Sequence, residues 1–209
     1  MTKSHDQTGL VIIVDDDPML LESSASLLRS VGLPTLCFGS GQAVLEARLP
    51  DVPSCLVIDI RMPQMGGFEI QAKLAERGDD IPAIFVTGHG DIPMSVKAMK
   101  AGAVDFLPKP CRDQDLLDAI AAALERDRAR RSARKDLAAS QSLYDRLTAR
   151  EKEVMGGVCR GLLNKQVGAE LGITEITVKL HRSSLMKKLG AKSFAELIRM
   201  NDFMRSQGI

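Results

Sequence analysis

Short apolar runs alternate with amphipathic helical patterns through the first half of this 209-residue chain. Strands rich in Val and Ile that alternate with helices pair in parallel, because each crossover helix covers a face of the sheet. The alternation therefore predicts an α/β fold with a doubly wound, five-stranded parallel sheet. The predicted strands are Leu10–Val14, Thr35–Phe38, Cys55–Asp59, Ala83–Val86 and Val104–Leu107, and helices are predicted at about 18–31, 40–48, 66–77, 92–101 and from Asp113 onward.

The pattern becomes all helical past residue 145, and four short helices are predicted there. Polar side chains that satisfy free backbone N–H groups precede three of them, and the pair Thr148 and Glu151 has the spacing of a capping box. The predicted helices run from Thr148 to about Cys159, from Asn164 to Gly172, from Thr174 to Gly190, and from about Lys192 to Met204.

Charge divides the chain into the same two parts. Residues 1–125 carry 10 Lys+Arg and 18 Asp+Glu, whereas residues 126–209 carry 18 and 9. This asymmetry predicts an acidic, metal-binding domain at 1–125 and a polyanion-binding domain at 144–209. Residues 126–143 are predicted to form a helical linker. We interpret its charge run as a solvated helix face, with contact to a DNA backbone as the alternative.

Composition excludes several classes of protein. No run of about 18 apolar residues is present, and the polar N-terminus lacks the apolar core of a signal peptide, so we expect a cytoplasmic protein with no membrane partner. The four cysteines form no C-x-x-C pair and have no histidine cluster beside them, which predicts buried reduced thiols rather than a metal site. They are Cys37, Cys55, Cys111 and Cys159.

Chemically active side chains follow four of the predicted strands. Asp15 and Asp16 follow the first, Asp59 ends the third, and Thr87 and Lys109 follow the fourth and fifth. Ligands of an open parallel sheet bind outside the carboxyl ends of its strands, so these side chains are expected to converge. A hard divalent cation, Mg²⁺, would offset the repulsion between the carboxylates.

The third acid of the triplet has a different predicted role. Asp17 precedes Pro18, and proline is favoured at the first position of a helix. Asp17 is therefore predicted to cap the first helix with its side chain.

The expected crevice suits phosphoryl transfer. A carboxylate forms an acyl phosphate, and Asp59 is the best nucleophile candidate because it stands alone on its strand. Lys109 and the cation would neutralise phosphoryl oxygens, and the Thr87 hydroxyl would donate a hydrogen bond to another. A metal-dependent phosphohydrolase with an aspartyl-phosphate intermediate is the alternative. It expects a second acid two residues after the nucleophile, where this chain has Arg61.

Four features together resemble a two-component response regulator of the FixJ-like class, in which a flavodoxin-like receiver domain precedes a LuxR-type helix-turn-helix. They are VIIVDDDP, LVIDIRMPQMGGFEI, IFVTGHGDIPMSVKAMKAGAVDFLPKP and the basic C-terminal module. The resemblance covers about residues 8–205. Two positions depart from it: Gln64 stands where many relatives have Gly, and Cys111 stands where an aromatic residue is common.

The resemblance implies roles for the receiver residues. Asp59 would be phosphorylated by a cognate sensor histidine kinase, and Asp16, Asp59 and the Arg61 carbonyl would bind Mg²⁺ directly, with Asp15 acting through water. Thr87 and Phe106 would form a switch pair. Arg61 and His89 occupy positions that tune phosphate lifetime in the family. The protein would be a regulator rather than an enzyme, its chemistry limited to self-phosphorylation and slow self-dephosphorylation at Asp59.

The basic end has the layout of a helix-turn-helix, with a turn at Gly172-Ile173. By resemblance, its second helix would contact base edges in promoter DNA through Lys179, Leu180 and Ser183. Arg182, Lys187 and Lys165 would contact phosphates, and Thr177 would also contact DNA. A regulator that acts only through protein contacts is the alternative, and the basic face argues against it.

Coupling between the two parts is predicted to be a population shift. Phosphorylation would favour self-association through the receiver surface around 92–110, which would bring two DNA-binding domains onto adjacent half-sites. The last helix, with Phe194, Leu197 and Ile198, is predicted either to serve in DNA-bound dimerisation or to be plain core. The expected output is promoter activation, with RNA polymerase as a further partner.

Overall fold

The computed structural model describes residues 9–88, 92–206 and 208. The chain separates into two compact units, Met1–Arg131 and Ser132–Ile209. The first unit has two hydrophobic cores and the second unit has one, among the residues described. No helix of the described ranges is both long and apolar enough to cross a membrane.

A five-stranded parallel sheet forms the first unit, in the order β2-β1-β3-β4-β5, which confirms the predicted α/β fold. The strands are β1 (Leu10–Val14), β2 (Thr35–Phe38), β3 (Ser54–Asp59), β4 (Ala83–Thr87) and β5 (Asp105–Pro108). The helices are α1 (Pro18–Ser30), α2 (Gly41–Glu46), α3 (Gly67–Glu76), α4 (Ile92–Lys100) and α5 (Asp113–Asp145).

Helices on both faces of the sheet explain why its central strands are apolar at consecutive positions. Leu10, Ile12 and Val14 of β1 contribute to one core, and Val11 and Ile13 contribute to the other. A strand that alternated apolar and polar residues would place polar groups in one of these cores.

Backbone pairing, rather than hydrophobicity, sets the strand limits that differ from the prediction. β3 begins one residue earlier because Ser54 pairs with Leu10, and β4 extends to Thr87 because Thr87 pairs with Pro108. β5 is displaced by one residue toward the C-terminus, beginning at Asp105.

One acidic residue in the charge run of α5 is fully buried, so the interpretation of the run as a solvated face is wrong for Asp127. Asp127 has no exposed surface and accepts a hydrogen bond from the Ser54 N–H at 2.9 Å. Arg130 and Arg131 pair with the same carboxylate, each at 2.6 Å. This stretch of α5 lies against the start of β3, where the Asp127 carboxylate accepts from the Ser54 N–H. A hydrophobic pattern in the sequence cannot reveal such a contact.

The cysteines are free, and Cys55 is buried as predicted. Cys37 is exposed, so the prediction of burial is wrong there. It lies on β2, which is an edge strand of the sheet that the described residues form.

Among the described residues of the second unit, four helices follow α5, and they confirm the all-helical prediction. Thr148 forms the predicted capping box with Glu151, and Thr174 caps as predicted. The prediction that Asn164 is an N-cap is wrong: Leu163 holds that position, and its N–H is satisfied by the Gln166 side chain at 2.8 Å. The helices are α6 (Ala149–Cys159), α7 (Asn164–Leu171), α8 (Glu175–Leu189) and α9 (Phe194–Ser206).

A tight turn joins α7 to α8 and depends on two glycines. Gly172 ends α7 in the left-handed conformation, at φ 65°, which glycine adopts without steric cost. A Cβ on Gly168 would lie 2.7 Å from the carbonyl oxygen of Ile173, so only glycine allows the turn to pack this closely against α7.

One buried carboxylate ties α6 to α8. Glu151 accepts hydrogen bonds from Ser184 Oγ and Lys188 Nζ, each at 2.6 Å, as well as from the Thr148 N–H at 2.7 Å. Burial alone raises the pKa of Glu151, but these hydrogen bonds outweigh burial and lower the pKa to about 2.

We expect Asp127→Ala to lower the unfolding free energy of the first unit by about 2–3 kcal/mol, because it leaves the buried Ser54 N–H without an acceptor. Hydrogen exchange of the β1 and β3 amides in the full-length chain, followed against urea, measures this change. Asp136→Ala removes an exposed carboxylate of the same helix and is the matched control. Equal stability of the two variants would contradict the prediction.

The second unit is expected to lose stability in acid through Glu151. A carboxyl group whose pKa is lowered by folding stabilises the protein above its unfolded pKa, about 4.5, and that contribution is lost as the pH falls toward 2. Glu151→Gln should remove this part of the pH dependence. Hydrogen exchange of the α6 and α8 amides measures it, with Glu153→Gln, a half-exposed neighbour, as control. A pH dependence unchanged by Glu151→Gln would refute the assignment.

Candidate functional site

Neighbouring parallel strands bring the predicted side chains to one edge of the sheet. Asp15 follows β1, Asp59 ends β3, Thr87 ends β4, and Lys109 follows β5. The strands run in the same direction, so their carboxyl ends, and the residues after them, lie at the same edge.

Three carboxylates form a tight acidic cluster there. Oxygen atoms of Asp15, Asp16 and Asp59 lie within 4.8 Å of one another. Asp15 is 7% exposed and Asp59 is 9% exposed, whereas Asp16 is open to solvent. Because burial removes water that would screen the charges, the cluster requires a cation.

Lys109 supplies one positive charge to this cluster. Its Nζ atom lies 2.5 Å from Oδ2 of Asp15 and 2.6 Å from Oδ2 of Asp59. Burial acts to lower the pKa of Lys109, but the hydrogen bonds to the two carboxylates outweigh burial, and the pKa is raised. The ammonium therefore remains charged at neutral pH.

Backbone donors hold the other oxygen of each buried carboxylate. The Asp17 N–H donates to Oδ1 of Asp15, and the Arg61 N–H donates to Oδ1 of Asp59, both at 3.0 Å. Both carboxylates are thus fixed in orientation before any ligand arrives.

The cluster has the donor chemistry of a Mg²⁺ site. Its ligand atoms are carboxylate oxygens on three residues, and hard divalent cations prefer such oxygens. The Arg61 peptide also lies next to Asp59, through the hydrogen bond from its N–H.

Asp17 is confirmed as a helix cap rather than a member of this cluster. Its Oδ1 atom accepts hydrogen bonds from the N–H groups of Met19 at 2.8 Å and Leu20 at 3.4 Å. Pro18 is the first residue of α1, as predicted.

The residues of the predicted switch lie on adjacent strands. Thr87 is buried, and its carbonyl oxygen accepts a hydrogen bond from the Lys109 N–H at 2.8 Å. Phe106 is half-buried and packs against the core beside α3 and α4. His89, predicted to tune phosphate lifetime, lies outside the described residues.

Gln64, one of the two departures from the family pattern, has an unusual backbone conformation. Its φ of 67° lies in the left-handed region, where glycine has no steric penalty and glutamine has one. The loop after Pro63 therefore has a backbone conformation suited to glycine at position 64, although glutamine stands there.

The predicted DNA-binding residues of α8 differ in the contacts that their side chains already make within the protein. Lys179 pairs with Glu175 at 2.9 Å. Arg182 is half-buried, lies 4.9 Å above the Phe194 ring, and donates to Asn164 at 3.4 Å.

Of the remaining predicted DNA contacts, one side chain has a partner in the helix cap and four are exposed. The Thr177 hydroxyl lies 2.9 Å from that of Thr174, within the N-terminal cap. The side chains of Leu180, Ser183 and Lys187 on α8 and of Lys165 on α7 are exposed.

Comparison with known proteins assigns a family to each of the two parts of the chain. Residues 11–121 match the family model described as the response regulator receiver domain, and residues 145–201 match the model described as bacterial regulatory proteins of the luxR family.

Relatives align along nearly the whole chain. Nodulation protein W of Bradyrhizobium diazoefficiens is 54% identical, over 93% of this chain and 86% of its own length. Response regulator protein TodT of Pseudomonas putida is 44% identical over 96% and 88%.

Solved structures are similar as well. That of the response regulator StyR has 46% identity and a TM-score of 0.86, covering 93% of this chain and 98% of its own. Full-length FixJ from B. japonicum has 36% identity and a TM-score of 0.56, covering 96% and 98%. No similarity favours the phosphohydrolase alternative. The chain belongs to the transcriptional response regulators that join a receiver domain to a LuxR-type DNA-binding domain.

Proposed function

We propose that Asp59 accepts a phosphoryl group from a cognate sensor histidine kinase, and that this modification controls promoter binding. A carboxylate oxygen of Asp59 forms a bond to phosphorus as the bond from phosphorus to the donor atom breaks. The products are an aspartyl phosphate and the free donor. The domains in this proposal are a receiver at 1–125, a linker at 126–143 and a DNA-binding domain at 144–209.

The position of Lys109 Nζ carries this proposal. A single ammonium lies within hydrogen-bond distance of both Asp15 and Asp59. In the phosphorylated protein, the ammonium exchanges its contact with Asp59 for one with a phosphoryl oxygen. The Thr87 hydroxyl donates to another.

A Mg²⁺ ion in this pocket neutralises phosphoryl charge when bound. Asp16, Asp59 and the Arg61 carbonyl would hold it directly, and Asp15 would act through water. The closeness of the three carboxylates supports their part in this ligand set.

The kinase approaches beside the acidic cluster. Met19 and Leu20, on the first turn of α1, are exposed large apolar residues next to Asp17. An apolar patch at the rim of a charged pocket suits a protein partner that must deliver its phosphoryl group into that pocket.

Phosphorylation shifts the receiver toward a self-associating state. Thr87 turns toward the phosphate and Phe106 rotates into the space vacated, which alters the surface around 92–110. Val96 and Met99 of α4 are exposed there and supply apolar contact area.

The last helix is a weaker candidate for dimerisation. Leu197 is buried, and Phe194 packs against the core of the second unit, as the plain-core alternative requires. Ile198 is half-buried.

In DNA, Leu180 and Ser183 contact base edges, and Lys187 and Lys165 contact phosphates. Lys179, Arg182 and Thr177 must exchange or share their present partners to contribute, so we assign them a secondary part. Two DNA-binding domains occupy adjacent half-sites, and contact with RNA polymerase then activates transcription.

We expect Asp59→Asn to abolish labelling of the full-length protein by acetyl phosphate and Mg²⁺, because the amide is not a nucleophile toward phosphorus. Wild-type protein should take up one phosphoryl group per chain, at Asp59, with acetate released. Mass spectrometry of the intact chain measures the number of phosphoryl groups, and mass spectrometry of its peptides locates the modified residue.

Asp17→Asn is the matched control, since asparagine caps helices as well as aspartate does and should label normally. Labelling that survives in Asp59→Asn, or multiple turnover of a small phosphoester by the wild type, would contradict the proposed function.

Lys187→Ala is expected to weaken binding to all DNA sequences alike. A phosphate contact releases about 0.9 counterion per duplex charge neutralised, so the slope of log K against log salt should become less steep by about that amount. Fluorescence anisotropy at several salt concentrations measures the slope. Arg199→Ala removes an exposed cation from α9 and should leave it unchanged. A slope equally unchanged in Lys187→Ala would remove the assigned phosphate contact.

A further inference from the structure

Two large aliphatic side chains stand exposed on α8, one helical turn apart. Ile176 is 71% exposed and Leu180 is 66% exposed. A single exposed aliphatic residue is ordinary, but residues four apart on a helix are neighbours, so these two form a continuous apolar patch. Ile176 was not among the contacts predicted from the sequence.

The patch lies opposite the packed face of the helix. Val178, Leu185 and Leu189 are buried in the core of the second unit. At about 100° per residue, a second stripe lies about 180° away from them. Its members, spaced by four, three and four residues, are Ile176, Leu180, Ser183 and Lys187.

This outward stripe changes in chemistry along its length. Its C-terminal half carries the hydroxyl of Ser183 and the ammonium of Lys187. Its N-terminal half is aliphatic, and the polar side chains beside it have partners, since Lys179 pairs with Glu175 and Thr177 with Thr174.

The N-terminal residues of the second helix in a helix-turn-helix contact base edges in the major groove. Of the four bases, only thymine presents an aliphatic group there, its C5-methyl. An aliphatic patch at that end of the helix is therefore complementary to thymine.

We propose that Ile176, together with Leu180, reads thymine methyl groups, and that Ile176 sets a thymine preference at one position of each half-site. The inference rests on the DNA binding proposed above. Charge favours DNA over an apolar protein surface as the occupant, since Lys187 continues the stripe and Lys165 is exposed on the preceding helix.

The test removes single methyl groups from the DNA. Full-length protein treated with acetyl phosphate and Mg²⁺ selects its preferred sequence from a random duplex library. Each thymine of the selected site is then replaced by deoxyuridine, which pairs identically but lacks the C5-methyl, and Kd is measured for each duplex.

For the wild type, we expect the replacement to weaken binding about three- to five-fold at the thymine that Ile176 contacts, the effect of exposing one methyl group. Ile176→Ser should bind the thymine duplex weakly and show no further loss at that position, while keeping the loss at the thymine read by Leu180. Ile176→Val retains a branched aliphatic side chain and should preserve the discrimination.

Leu163→Ala is the matched control, because Leu163 is 70% exposed but precedes α7 instead of lying on α8. It should keep every thymine-to-deoxyuridine ratio of the wild type. The same ratio in wild type and Ile176→Ser at every position, or a selected site without thymine, would overturn the thymine inference alone. Failure of the wild type to retain any DNA would instead overturn the proposed DNA-binding function.

Discussion

Mutual repulsion between Asp15, Asp16 and Asp59 is the constraint around which the receiver site is built. Two of these carboxylates are nearly buried, so water cannot screen them, and the backbone N–H groups that orient them neutralise little charge. Lys109 bridges both. The three carboxylates carry more negative charge than one lysine can offset, which is why the proposed function places a cation here and expects the site to respond to an added phosphoryl group.

Parallel pairing is what makes this arrangement readable from sequence. The side chains lie up to 94 positions apart along the chain, yet each stands at the carboxyl end of an apolar run. Once the runs are recognised as neighbouring parallel strands, their ends must share an edge of the sheet. Asp17 was readable for a different reason, since its neighbour Pro18 fixes where α1 starts and so places Asp17 at the helix cap.

Features that depend on one specific partner residue could not be predicted from the sequence. Asp127 sits in a run of charges that looks solvated, and its burial depends on the unpaired N–H at the start of β3. Asn164 is a good capping residue by type, but the chain enters α7 one residue earlier and uses Gln166. The position of Ile176 on the helix could be computed from spacing alone. Its exposure could not, because the orientation of α8 depends on packing against α6 and α7.

Glu151 gives two lysines that are adjacent in sequence unlike chemical properties. Lys188 donates to this carboxylate, whereas Lys187 points into solvent. Amine acylation needs an accessible nitrogen, so a reagent such as an activated ester should modify the exposed Lys187 faster than Lys188, whose Nζ is held by Glu151. Partial acylation would then remove the positive charge of Lys187 from the outward side of α8. The contact between Lys188 and Glu151 would remain, so the charge of this helix could be changed without loosening its packing against α6.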